Sequence, residues 1–245
     1  MNKIIPILVG IILLTSCQQE EVESNTKSTD LKTAELVEGR FNVALLVMEG
    51  TFNTELTAPM DIFHHTIFRD SIKPMNVFTV ANTLNPITTF EGLKIVPDFD
   101  YTAINLPKID ILVIPAAEHS MGSDLENSAL INFIKKTEKN ADFVVSHCDG
   151  AFVLAKTGLL DGKHSTTYPG DIDEYKKMYP NTIVHEDVLF VHDGKFITSA
   201  GGAKAFEGSL YLCELLYGKK VADQLAEGMV IDWDLDSLPF VKIAN

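Results

Sequence analysis

Three almost uninterrupted apolar runs constrain this chain more than any other feature. Residues 41–48 (FNVALLVM), 111–114 (ILVI) and 143–146 (FVVS) lack the alternation of a strand with one wet face. Such runs read as strands buried on both faces, which requires helices above and below the sheet. Helical spacing follows the first run in Leu56, Met60, Phe63 and Ile67, predicting a helix from a Thr54 cap through Phe68, with Pro59 as a kink inside it. Ser123 or Asp124 is the expected cap of a helix reaching Lys139, and residues 151–156 open another after the third run. Residues 75–81 predict a further strand, shorter strands are expected near 188–191 and 196–198, and a helix over 203–216 is ended by Gly218. Alternating β and α units predict an α/β protein with a mainly parallel sheet covered by helices. Ligands of such sheets bind beyond the carboxyl ends of the strands, which places a site just after Met48, Ile114 and Ser146.

The start of the chain does not fit that scheme. Lys3 precedes an apolar run from Ile4 to Leu14. About eleven residues span roughly 16 Å as a helix, too short for a ~30 Å hydrocarbon core. Residues 1–16 therefore read as a signal peptide. Leu14-Thr15-Ser16-Cys17 resembles a bacterial lipobox, so Cys17 is the expected lipidation site and new N-terminus. Residues 17–39 are polar and read as a flexible tether, followed by one globular domain over 40–245. These readings predict a lipid-anchored protein of the cell envelope; Gln18 and the acids after it favour the outer membrane, with the domain facing periplasm or exterior. The formal net charge of −14 argues against nucleic-acid binding, because an acidic surface repels phosphates. Three cysteines are too few for a disulfide scaffold.

The third apolar run leads into His147-Cys148-Asp149-Gly150 and then a helix beginning AFVLA. A nucleophile between a buried strand and a helix start has the form of a nucleophile elbow. The unpaired N–H groups and partial positive charge of a helix N-terminus favour thiolate over thiol and predict a lowered Cys148 pKa. The same amides suit an oxyanion. Cys213, inside SLYLCELL, reads as a packing residue.

Four stretches resemble the ThiJ/PfpI superfamily, which shares its fold with class I glutamine amidotransferases. They are VALLVMEG with ELTAPMDIF; DILVIPAAE; SHCDGAFVLAKTGLLDGKHSTTYP; and DGKFITSAGGAKAFEGSLYLCELLYGKKVADQLAEGMV. The resemblance implies a flavodoxin-like three-layer sandwich and a homodimer. It places the reactive cysteine at Cys148 and the acid that hydrogen-bonds the thiol at Glu55. It places the oxyanion-binding amides at Ala117 and Asp149. Ala116 and Ala117 stand where relatives carry two glycines, and Ala tolerates positive φ poorly. Tyr168 stands where many relatives carry histidine; a tyrosine titrating near pH 10 is a poor base at neutral pH. His119, His147 and Tyr168 are accessory candidates, although His147, adjacent to Cys148, is expected to point away from it. His64, His65, His164, His185 and His192 show no metal-ligand pattern, so neither metal nor cofactor is expected.

Two functions remain open at this point. The spacing of ELTAPMDIF and HCDGA is most similar to the isonitrile-hydratase and regulator-domain branch, which implies an enzyme acting on a small electrophile. Cys148 would attack, Glu55 would shuttle protons and Asp149 would act with them, in hydratase, hydrolase or glyoxalase-like chemistry. The alternative is a non-catalytic redox sensor or stress-protective protein using the same cysteine. Regulator relatives carry a helix-turn-helix module, for which the chain leaves no room before Asn245.

Overall fold

The computed structural model describes residues 34–244. The signal peptide, Cys17 and the first part of the tether predicted from sequence lie outside the described residues. In chain order the first half forms β1 (Asn42–Leu46), α1 (Asn53–His64), β2 (Asn76–Ala81), the two-residue strands β3 (Ile87–Thr88), β4 (Lys94–Ile95) and β5 (Phe99–Asp100), β6 (Ile111–Ile114), α2 (Ser128–Glu138), β7 (Phe143–His147) and α3 (Gly150–Lys156). The second half adds β8 (His164–Ser165), α4 (Ile172–Met178), β9 (Ile183–Val184), β10 (Phe190–Asp193), β11 (Phe196–Ser199), α5 (Ala205–Tyr217), α6 (Lys219–Gly228) and β12 (Phe240–Lys242).

Eight strands form one sheet in the order β12-β10-β11-β7-β6-β1-β2-β5. Its pairings are parallel except in the β10–β11 hairpin, which turns at Gly194 (φ 64°). The apolar runs are continuous because each strand feeds two cores. Ala44, Leu46, Leu112, Ile114 and Val144 pack under the α2–α3 face. Val43, Leu45, Ile111, Val113 and Val145 pack under the face covered by α1, α5 and α6. Sheet and two helical layers make a three-layer, flavodoxin-like α/β sandwich. Taken in chain order, the central strands β2-β1-β6-β7-β11 follow the doubly wound 2-1-3-4-5 order, with the switch point between β1 and β6. An antiparallel bridge between Thr51 and Ala117 ties the two loops that leave this point.

Helix starts differ from the sequence expectation. Thr54 caps nothing: α1 begins at Asn53, whose amide is accepted by the Glu91 carboxylate at 2.9 Å. That cap comes from the loop joining β3 to β4, out of reach of any local pattern. Pro59 sits within α1, which continues to His64 and finishes in a 3₁₀ turn over His65–Phe68. Ser123 and Asp124 lie in a separate 3₁₀ turn, and α2 is capped by Asn127, whose side chain accepts the Leu130 amide at 3.1 Å. Among the described residues no helix is long and apolar enough to cross a membrane.

Candidate active site

Cys148 follows β7 directly and holds φ at +53°, in the left-handed region that a residue with a Cβ rarely adopts. Such strain costs roughly 1–3 kcal/mol and persists only where the surroundings over-determine it. Here the Cys148 amide donates to Ser199 O at 2.9 Å, and its carbonyl accepts from the Ala151 amide at 3.2 Å and the Thr167 hydroxyl at 3.0 Å. Two glycines complete the elbow. A Cβ on Gly150 would lie 2.2 Å from Ile114 O, and one on Gly201 (φ 76°) would lie 2.3 Å from Cys148 Cβ.

Glu55, in the first turn of α1, is buried at 4% exposure. Its Oε1 accepts the Gly202 amide at 2.5 Å, while Oε2 is buried without a hydrogen-bond partner among the described residues, on the side of the Cys148 thiol. Burial raises the Glu55 pKa to about 7, against the Gly202 hydrogen bond and the neighbouring Cys148 thiol, which lower it. The folded protein therefore keeps this proton up to about pH 7, while the unfolded chain releases it near 4.5. The native state binds more protons across that window and loses stability as pH rises through it, by about 3 kcal/mol for a shift of this size. Glu55→Gln, which keeps an acceptor for Gly202 without the charge, is expected to melt higher than wild type at pH 8 and to lose that advantage at pH 4. Thermal melts at the two pH values check this; a difference independent of pH would contradict it.

The thiol does not behave as the helix-start argument predicts. Burial is the largest influence, and the Glu55 and Asp149 carboxylates add to it; together they push the Cys148 pKa well up rather than down. The Asp149 amide, which donates to the sulfur, opposes them and is outweighed. Cys148 therefore rests as a thiol whose proton lies beside the Glu55 carboxyl. Asp149 Oδ1 accepts from the Thr167 hydroxyl at 3.2 Å, and the Asp171 carboxyl lies nearby. Burial first, and then the Asp171 charge, raise Asp149 to about pH 7.

Of the residues singled out from sequence, Glu55, Cys148 and Asp149 come together. The others do not join them. The Ala117 amide, expected to bind an oxyanion, instead donates to Ser120 Oγ at 2.8 Å. Neither Ala116 nor Ala117 needs positive φ, so alanine fits this turn. His147 points to the opposite face, where Nδ1 meets Ser199 Oγ at 2.7 Å and the ring faces Gly208 of α5. Complete burial lowers its pKa to about 4. The His119 ring is half exposed and faces Glu118 at 3.9 Å. Tyr168 is half exposed, with its ring over Gly170. Cys213 is fully buried in α5. Sequence reasoning missed Asp171, which sits in a polar turn with no distinguishing signal of its own. Among the described residues no three His, Cys, Asp or Glu side chains are grouped to hold a metal. A cleft of about 450 Å³ between residues 101–109 and α2 includes none of the site residues.

This geometry can be set against known proteins. A model of the DJ-1/PfpI family matches residues 41–215. Isonitrile hydratase of Pseudomonas putida is 27% identical over 182 residues, covering 74% of this chain and 74% of that protein. Protein dj-1beta of Drosophila melanogaster is 28% identical over 142 residues, covering 58% of this chain and 74% of that protein. The crystal structure of Drosophila melanogaster DJ-1beta superposes with a TM-score of 0.68 at 23% identity, over 79% of this chain and 100% of that one. With the family model spanning both the elbow and the Glu55 helix, the chain belongs to the DJ-1/PfpI family.

Proposed function

We propose that this protein is a cysteine-dependent enzyme that adds the Cys148 thiol to a small, uncharged electrophile, in hydratase or glyoxalase-like chemistry. One observation carries the reading: a buried thiol and a buried carboxyl side by side at a nucleophile elbow, with the Asp149 amide beside the sulfur. A thiol with a raised pKa attacks as its proton leaves, and Glu55 titrates near 7, the value that best suits a base at neutral pH. For an isonitrile the sulfur bonds to the terminal carbon and the thiol proton, relayed by Glu55, ends on the same carbon. Water then adds at that carbon, the C–S bond breaks, and the product is the N-substituted formamide with Cys148 restored. The similarity to isonitrile hydratase supports this branch.

Charge and access narrow the substrate. Cys148 is 9% exposed, so only a small group reaches it. The charges acting most on Glu55 and Cys148 are those of Asp149, Glu91 and each other, all acidic, so an anion is repelled. The expected result from a panel of isonitriles, methylglyoxal and glyoxylate, assayed on the domain without its N-terminal segment, is turnover of uncharged members and none of the carboxylate. Failure of every uncharged member would overturn the reading.

A non-catalytic redox or stress-protective role is favoured by one observation, that Glu55 retains to about pH 7 a proton it can donate to an oxidised sulfinate. The raised thiol pKa weighs against it, because the thiolate is the form that oxidises. Mass spectrometry after mild peroxide decides: selective oxidation at Cys148 supports this second reading. Attachment to a membrane through Cys17 and assembly as a homodimer are further proposals. The first rests on Leu14-Thr15-Ser16-Cys17 and is tested by labelling with a fatty-acid analogue; the second rests on family resemblance and is tested by the mass in solution.

A further inference from the structure

We propose that Thr167 is a positioning residue that aims the Asp149 amide at the reacting sulfur: its hydroxyl grips the Cys148 carbonyl, on the opposite edge of the same peptide plane. The proposal rests on the reading of Cys148 as a catalytic nucleophile and adds to it a residue that acts on the sulfur only through the backbone.

Thr167 is completely buried. Its hydroxyl donates to Cys148 O at 3.0 Å and to Asp149 Oδ1 at 3.2 Å. One proton facing two acceptors makes a three-centre bond across two consecutive residues. The Cys148–Asp149 peptide is trans, so its carbonyl and its N–H lie in one plane and point in opposite directions. Fixing Cys148 O therefore fixes the direction of the Asp149 amide, which lies beside the sulfur.

The grip is itself anchored. The Thr166 amide donates to Thr198 Oγ1 of β11 at 2.8 Å, and the Thr166 hydroxyl donates to His185 O, just beyond β9, at 2.9 Å. The Cys148 amide is tied to Ser199 O of the same β11 at 2.9 Å. A closed circuit thus runs from β11 through Thr166 and Thr167 to the Cys148 carbonyl, and back from the Cys148 amide to β11. It holds both backbone polar groups of the one site residue in the left-handed region. With Thr167 replaced by valine, Cys148 O keeps only the Ala151 amide at 3.2 Å, so the elbow still forms but its peptide plane can tilt. In a buried site no bulk water replaces the missing donor.

The first test needs no substrate, so its failure is separate from failure of the electrophile panel. Hydrogen exchange at the Cys148 and Asp149 amides should be about tenfold faster in Thr167→Val than in wild type, and Thr167→Ser should restore it. Thr182→Val is the control: that buried hydroxyl also donates to a main-chain carbonyl, Leu160 O at 3.2 Å, but away from the elbow, whose exchange should not move. Unchanged exchange at the elbow in Thr167→Val would overturn the grip. On an active member of the panel, Thr167→Val should lower kcat about tenfold with KM little changed, because a misdirected donor stabilises the developing charge poorly, and serine should recover most of the rate. A loss matched by Thr182→Val, or not recovered by serine, would overturn the positioning role.

Discussion

Replacing Cys148 with alanine is expected to abolish turnover of any electrophile that the wild-type domain accepts, lowering kcat/KM by at least ~10³-fold, or about 4 kcal/mol of transition-state stabilisation. The size follows from the step that is lost: without sulfur there is no covalent adduct, and Glu55 has no thiol proton to take. The variant should remain folded. Alanine meets the same left-handed φ with the same Cβ, and the amide and carbonyl that hold position 148 are backbone groups. Glu55 keeps its hydrogen bond from the Gly202 amide when the thiol is gone. Cys213→Ala is the matching control, since that thiol is buried in α5 on the other face and serves packing. Equal melting temperatures with activity lost only at position 148 would fit; turnover within tenfold of wild type in Cys148→Ala would remove the covalent mechanism.

The reach of the sequence depends on whether a feature is local. The long central strands were legible because burial on both faces writes itself as an unbroken apolar run, as in Val43 to Leu46. The two-residue strands β3, β4, β5, β8 and β9 carry no periodicity, and nothing in the chain announces them. Helix α6 was readable and went unread: Val221, Ala222, Leu225 and Ala226 recur at helical spacing and are the buried positions. Cys148 was legible from its place between strand and helix. Glu55 was not, because a lone acid in a first helical turn looks like a partner for the helix dipole; what sets it apart is the Gly202 amide, 147 residues away. The thiol pKa failed for a related reason. The dipole of the seven-residue α3 can be argued from sequence, but burial and the approach of two carboxylates exist only in the fold. Ala117 shows the same limit, since the Ser120 hydroxyl three residues on accepts its amide in a local turn.

The elbow itself gives the largest expected effect on stability. Gly201→Ala would place a Cβ 2.3 Å from Cys148 Cβ and 2.7 Å from Cys148 N, at a φ of +76°. The three nearest atoms it meets belong to position 148, whose amide is pinned to Ser199 O and whose carbonyl is pinned to Thr167, so none is a flexible side-chain end that can swing away. A loss of at least ~4 kcal/mol is expected, the range reached when backbone strain and a core clash coincide. For a domain of this size that corresponds to a fall in Tm on the order of 10 °C. Gly202→Ala separates the two causes: its φ is +56° but a Cβ there meets nothing within 4 Å, so it bears strain alone, roughly 1–2 kcal/mol. Gly150→Ala supplies the converse, a Cβ 2.2 Å from Ile114 O at a position without positive φ. If the close approach of two backbones holds Cys148 in its strained conformation, thermal melts should show Gly201→Ala and Gly150→Ala destabilised far beyond Gly202→Ala. Gly201→Ala should also lose turnover at temperatures where it is still folded, because the thiol would shift against Glu55. A Gly201→Ala protein as stable as Gly202→Ala would mean that the elbow yields, and that its geometry is supported from elsewhere.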